Sequence, residues 1–171
     1  MPEPDGGAQN RQSSLNRRVI AELMLFYFVI TYISLVVTFN TSYVASSAGI
    51  STSDAGIIIS LFFLAIMAPG FVLNSIITIF GRWVNVVSLV VMGIGLMLMS
   101  WHNPSVVTLV FGAVLAGFGY GIMQPIIYDK AATNAPPRLA TLALSIVMAV
   151  NYLAILVAPF IIDGINTIFH T

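Results

Sequence analysis

The chain has 171 residues, of which 58% are hydrophobic and only 7% are charged, and its mean hydropathy is +0.99. Soluble domains carry roughly 25% charged residues, so this composition excludes an ordinary water-soluble globular protein. Six basic and six acidic residues give a formal net charge of zero, which argues against a nucleic-acid partner because such partners select basic surfaces. The absence of cysteine excludes disulfides and thiolate metal sites.

The amino-terminal segment, residues 1–18, is polar and contains the pair Gly6-Gly7 and two prolines. It lacks the short apolar core of a cleavable signal peptide. We therefore predict a flexible tail on the cytoplasmic side of a membrane.

After this tail, hydrophobic segments recur that are long enough to cross about 30 Å of hydrocarbon as helices. The predicted fold is an all-α integral membrane bundle over residues 19–164, with spans at about residues 19–39, 55–80, 84–100, 105–128 and 139–162. We predict a loop at 40–54, a kink at Pro69-Gly70 and a linker at 129–138. Residues 165–171 are too few to cross a bilayer, so they are predicted to form a short outer tail or the start of a truncated sixth helix.

The basic residues indicate the orientation of these spans, because Lys and Arg near helix ends are retained on the cytoplasmic side. With five spans, all the basic residues fall on one side: Arg11, Arg17, Arg18, Arg82, Lys130 and Arg138. We therefore predict a multi-pass protein of the cell membrane whose amino terminus is cytoplasmic.

The first span contains four polar residues at spacings of four, three and four: Tyr27, Thr31, Ser34 and Thr38. This spacing places them on one face of a helix. They are candidates to line a substrate pathway. The alternative is that they form interhelical hydrogen bonds, which contribute about 0.6 kcal/mol per contact on average.

Further polar residues occur in the fourth and fifth spans, where Gln124, Asn151 and Tyr152 are candidates to bind a solute without the cost of burying a charge. Helix packing is again the alternative. Gly117 and Gly121 form a small-xxx-small pair, which we interpret as a packing motif that lets helix backbones approach closely.

Glu22 is the one ionisable residue placed inside a predicted span, and intramembrane acids are functional candidates. It is therefore a candidate for proton coupling. Because Glu22 lies four residues after Arg18, the alternative is a simple ion pair between these two side chains at the membrane surface.

Enzymatic and metal chemistry have little support in the sequence. His102 and His170 are single histidines without partners for a metal site, so we predict no metal and no cofactor. No phosphate-binding loop or catalytic cluster of ionisable residues is present. We predict that the protein is not an enzyme.

The turn after the second span contains Gly81 and Arg82, and it resembles an inner-face motif of the major facilitator superfamily, Gly-x-x-x-Asp-Arg-x-Gly-Arg-Arg. Asn74 and Thr78 replace the first Gly and the Asp, while Gly81 and Arg82 match. The fourth span is glycine-rich, and the fifth carries Ala158-Pro159 where the family's antiporter motif has Gly-Pro.

The resemblance implies one half of a transporter built from two six-helix halves. The eroded motif is more similar to the carboxyl-terminal half, with helices seven to eleven present and the last helix missing. The implied function is secondary transport of a small organic solute, with proton-coupled efflux as the candidate mode. The expected partners are membrane lipid, the solute, and a complementary half or a second copy of the chain. The alternative is a non-transporting membrane scaffold or partner subunit that keeps the fold.

Overall fold

The computed structural model describes residues 17–47, 49–101 and 104–169. These residues form helices and turns without any strand, which confirms the predicted all-α class. The helices are α1 (Arg17–Ser47), α2 (Thr52–Met67), α3 (Pro69–Phe80), α4 (Val84–Met99), α5 (Val106–Thr133) and α6 (Ala140–Phe169). Short 3-10 turns at Gly81–Trp83 and Pro137–Leu139 precede α4 and α6.

Length and composition identify four described segments that could cross a membrane: Arg17–Leu35, Pro69–Met99, Val106–Thr133 and Pro137–Ile161. Helix α2 is apolar but shorter. The protein is therefore a multi-pass membrane protein by composition, and the number of crossings depends on how α2, α3 and α4 are arranged.

Helix α5 is the centre of the bundle and contacts each of the other five helices. Glycines make these contacts close. A Cβ atom added to Gly117 would overlap the carbonyl oxygen of Phe62 in α2, and one added to Gly119 would lie 2.6 Å from the carbonyl oxygen of Ser88 in α4. Backbones therefore touch directly at both interfaces, as small residues allow in membrane proteins.

These contacts also give the helix directions. Gly117 meets Phe62 and Gly121 meets Ile66, so the residue numbers of α2 and α5 rise together and the two helices are parallel. Farther along, α3 borders the same cleft as Pro125 in α5. Helix α3 therefore continues in the direction of α2.

Helix α4 runs the opposite way, because Gly119 meets Ser88 whereas Gly112 meets Met99. The chain therefore reverses between α3 and α4, at the Gly81–Trp83 turn. Gly81 has φ +49° and ψ −122°, a conformation that favours glycine.

Helices α1 and α6 complete an alternating pattern. In α1, Tyr27 meets Tyr128 and Thr31 meets Tyr120, so α1 is antiparallel to α5. Helix α6 follows α5 through a short connection and meets Tyr120 through Asn151, so it is also antiparallel to α5. With α2 and α3 taken as one unit, five successive segments alternate in direction.

The alternation brings the described basic residues to one end of the bundle. Arg17 and Arg18 begin α1, Arg82 follows α3, and Lys130 lies in the last turn of α5. Arg138 lies in the turn before α6. Arg11 lies outside the described residues.

Several helices extend beyond the predicted spans, into segments expected to be loop, linker or tail. Helix α1 continues to Ser47, through much of the predicted loop at 40–54, and Ala45 is fully buried in a cluster with Ala55 and Ile58. Helix α5 extends to Thr133, into the predicted linker, and α6 extends to Phe169, into the predicted tail. Hydropathy marks the part of a helix that suits lipid, whereas backbone hydrogen bonds continue through polar ends, so apolar windows end too early.

The second predicted span is divided at Ala68, directly before the predicted kink residues. Helix α2 ends at Met67, and α3 starts with Pro69 in its first turn, where the missing N–H of proline is tolerated. Within α5 and α6, by contrast, Pro125 and Pro159 lie inside continuous helices.

Candidate functional site

Two tyrosine hydroxyls and one amide begin a polar network between α1 and α5. The hydroxyl groups of Tyr27 and Tyr128 lie 2.8 Å apart, and Gln124 Nε2 donates to the Tyr27 hydroxyl at 3.1 Å. The Tyr27 ring also packs edge-on against the Tyr128 ring, with 5.7 Å between centroids. Tyr27 is fully buried, so this network holds its hydroxyl away from lipid.

The second part of the network joins three helices. Thr31 Oγ1 in α1 donates to Asn151 Oδ1 in α6 at 2.9 Å, and the Tyr120 hydroxyl in α5 donates to the same oxygen at 3.2 Å. The Thr31 and Tyr120 hydroxyls are themselves 2.8 Å apart. Thr31 is only 2% exposed, so these hydrogen bonds satisfy a polar group in the apolar interior.

The other two residues of the α1 stripe are buried but make different contacts. Ser34 Oγ lies 4.0 Å from Met92 Sδ, a weak contact. Thr38 Oγ1 donates to the backbone carbonyl of Ser34 at 2.8 Å. Thr38 therefore bonds within its own helix, and the structure brings only Tyr27 and Thr31 into the interhelical network.

A cavity of about 180 Å³ adjoins the network. Its polar lining comes from Thr31, Ser34, Tyr120, Gln124 and Asn151. Its apolar lining comes from Leu35, Phe62, Phe63, Ile66 and Ile155. The cavity lining thus combines aromatic and aliphatic side chains with uncharged hydrogen-bonding groups.

Tyr152 does not join this site. Its side chain is 69% exposed, whereas the preceding Asn151 contributes to the cavity. Successive helical residues point about 100° apart because a turn holds about 3.6 residues. Tyr152 therefore does not line this cavity, and its pathway role stays a prediction.

Glu22 has the arrangement of a surface ion pair. Its carboxylate accepts a hydrogen bond from Arg18 Nε at 2.9 Å, and both side chains are largely exposed. It lies in the second turn of α1, well before the cavity residues, and does not line the cavity. Proton coupling through Glu22 therefore receives no support from this geometry.

The Gly81-Arg82 turn does not line the cavity. It borders a separate cleft with Asp129 and Lys130, at the basic end of the bundle. The Arg82 guanidinium carbon lies 5.5 Å from the centre of the Trp83 ring, a cation–π distance. This motif therefore shapes a turn rather than the site.

Tyr128 was missed as a network residue, because it lies at the end of the predicted fourth span. Its spacing could have identified it, since Tyr120, Gln124 and Tyr128 recur every four residues on one face of α5. The aromatic wall formed by Phe62 and Phe63 had no comparable signal, since phenylalanine is common in apolar spans. No group of three metal-binding side chains occurs within the described ranges.

Comparison with known proteins gives one match. A family model described as Major Facilitator Superfamily matches residues 23–170, which is most of the chain. No curated protein and no solved structure gives a significant match.

Proposed function

Because the chain belongs to the major facilitator superfamily, a family of membrane transporters, we propose that it forms the solute-binding half of a secondary transporter. The proposed solute is a small organic molecule that crosses the membrane through the cavity between α1, α2, α5 and α6. The alternating helix directions support five membrane crossings, in which α2 and α3 together make the second.

The observation that carries this proposal is the cavity itself. Polar groups in the apolar interior of a membrane protein are expensive and usually satisfy one another. Here the Thr31 and Tyr120 hydroxyls both donate to Asn151, and all three residues also border about 180 Å³ of open space. A purely structural network would be expected to close over such a space by packing.

The energy source proposed for transport is a solute or ion gradient, since the sequence has no phosphate-binding loop. The cavity lining contains no carboxylate, so the proposal includes neither proton coupling through this lining nor a direction of movement.

Assembly with a complementary half or a second copy is part of the proposal, because members of the family alternate between two halves. Broad apolar faces support it: Phe71 of α3 is 89% exposed, and Phe160 of α6 is 73% exposed. Membrane lipid covers whatever a partner does not. The departures from the inner-face motif at Asn74 and Thr78 support a carboxyl-terminal half.

Cysteine labelling tests whether the cavity is wet. The chain has no cysteine, so a single Ser34→Cys variant carries one thiol, which we place at the cavity wall. In bilayers, with any partner half present, a membrane-impermeant thiol reagent should label Ser34→Cys at least about tenfold faster than Ser88→Cys. Labelling is measured by mass shift over time.

Ser88 is the matched control, because it is fully buried, bonds to the Val84 carbonyl oxygen, and does not line the cavity. Equal protection of the two thiols would contradict a water-accessible pathway. In that case the network would be helix packing alone, and a non-transporting scaffold would become the better interpretation.

A further inference from the structure

The hydrogen bonds of the cavity leave one donor and one acceptor unused. Asn151 Oδ1 accepts from two hydroxyls, but no hydrogen bond joins Asn151 Nδ2 to another described residue. Gln124 Nε2 donates to Tyr27, and Gln124 Oε1 is likewise without a described partner. The two amides therefore present opposite hydrogen-bonding atoms.

Both unused atoms keep contact with open space. The one buried side-chain nitrogen or oxygen without a partner in the described part of the chain is Asn85 Oδ1, in α4. Asn151 Nδ2 and Gln124 Oε1 are therefore not fully buried, and both residues line the cavity. Two residues that line the cavity thus have an N–H group and a C=O group available for a ligand.

The cavity also lacks charge. Its lining contains no Asp, Glu, Lys, Arg or His. A charged ligand would lose its hydration there without gaining an opposite charge from this chain, which costs far more than moving a neutral polar group. Three of the other lining residues, Phe62, Phe63 and Tyr120, are aromatic, and aromatic side chains suit a flat apolar body.

From these features we infer that the cavity binds an uncharged carboxamide-type group carried on a small ring. The ligand carbonyl accepts from Asn151 Nδ2, and the ligand N–H donates to Gln124 Oε1. Amides, lactams and cyclic ureas share this pair of groups. This inference rests on the proposed function and assigns its substrate class.

Three isosteric probes separate the possibilities: benzamide is neutral and carries both groups, benzoate is an anion without an N–H, and benzamidinium is a cation without an acceptor. Binding of each radiolabelled probe to the full chain in lipid nanodiscs is measured by equilibrium dialysis. Benzamide should bind at least about tenfold more tightly than either ion, since each ion leaves one of the two amide groups unpaired in the complex. Equal or tighter binding of an ion, or no binding of benzamide, would overturn the inference.

Substitutions at Asn151 and Gln124 test whether these two amides cause the preference for benzamide. Asn151→Leu and Gln124→Leu should each weaken benzamide binding about tenfold, whereas Asn74→Leu, on the exposed face of α3, should leave it unchanged. Unchanged affinity in both cavity variants would overturn the inference.

Since Asn151→Leu could also disturb folding, Asn151→Asp provides a test that depends on gain of binding. It keeps the shape of the side chain and replaces the donor with a carboxylate. The preference should then change from benzamide to benzamidinium. Retained benzamide preference would contradict the assigned contact. Labelling of Ser34→Cys uses no ligand, so it judges the proposed pathway separately from this substrate class.

Discussion

At the scale of single residues, the glycines of α5 set the distance between helix backbones. A Cβ atom on Gly121 would overlap the carbonyl oxygen of Ile66. Gly121→Ala should therefore force α2 away from α5 and lower the free energy of unfolding by about 1–3 kcal/mol. Thermal unfolding in detergent, followed by loss of helical circular dichroism, measures the effect.

Gly93 provides the matched control. It lies inside α4, and a Cβ atom there would meet nothing within 4 Å. Gly93→Ala should be neutral or stabilising, because alanine favours a helix by up to about 1 kcal/mol over glycine. Equal loss of stability in the two variants would show that backbone approach is not what Gly121 provides.

Periodicity in the sequence predicted part of the candidate site. Tyr27 and Thr31 do share a face, and they do meet Gln124 and Asn151. The pathway role of these residues stays a prediction. Spacing alone could not separate Thr38 from Thr31, because a threonine hydroxyl bonds its own helix or a neighbour depending on which helix lies opposite.

At the scale of elements, the turn between α3 and α4 depends on the positive φ of Gly81. A Cβ atom there would meet nothing within 4 Å, so the cost of a side chain is purely conformational. Gly81→Ala should lower stability by about 1–3 kcal/mol. The measurement is the same thermal unfolding.

Gly70→Ala is the matched control for the effect of the positive φ of Gly81 on stability. Gly70 is exposed, has open space at its Cβ position and lies within α3, without a positive φ. Its replacement should change stability by less than about 1 kcal/mol. If Gly81→Ala is equally mild, the turn does not require glycine and the motif resemblance loses its physical basis.

Sequence patterns predicted where helices exist better than where they end. The bounds of α4 differ from the predicted span by one residue, because the Gly81-Arg82 turn and the residues after Met99 mark both ends. The extension of α1 to Ser47 could not be predicted from hydropathy, since Ala45 is buried in a cluster that includes Leu109 and Ala113 of α5, which are distant in sequence. Tertiary packing decides such ends.

At the scale of the whole molecule, the shared end of the basic residues predicts the orientation in the membrane. A reporter that is active only in the cytoplasm should be active when fused after Arg82 or Arg138. It should be silent when fused after Asp54 or Thr171. Reporter activity per fusion protein, with expression checked by immunoblot, gives the measurement.

The fusion at Thr171 is the sharpest point of this test. Four crossings would return the chain end to the cytoplasm, whereas five place it outside. An active reporter there would contradict the five-crossing arrangement, and an active reporter after Asp54 would contradict the orientation.

The glycine contacts of α5 also distinguish two kinds of helix contact in the bundle, one made by backbone atoms and one made by side-chain hydrogen bonds. Helices α2 and α4 each meet α5 through close backbone contacts, and a backbone contact has no rotamers through which to adjust. Helix α1 packs chiefly on α6, and hydroxyl and amide hydrogen bonds join this pair to α5. Such bonds are made by side chains, which can rotate and change partners. We therefore expect any widening or narrowing of the cavity to come from movement of the α1–α6 pair relative to the unit formed by α2, α4 and α5.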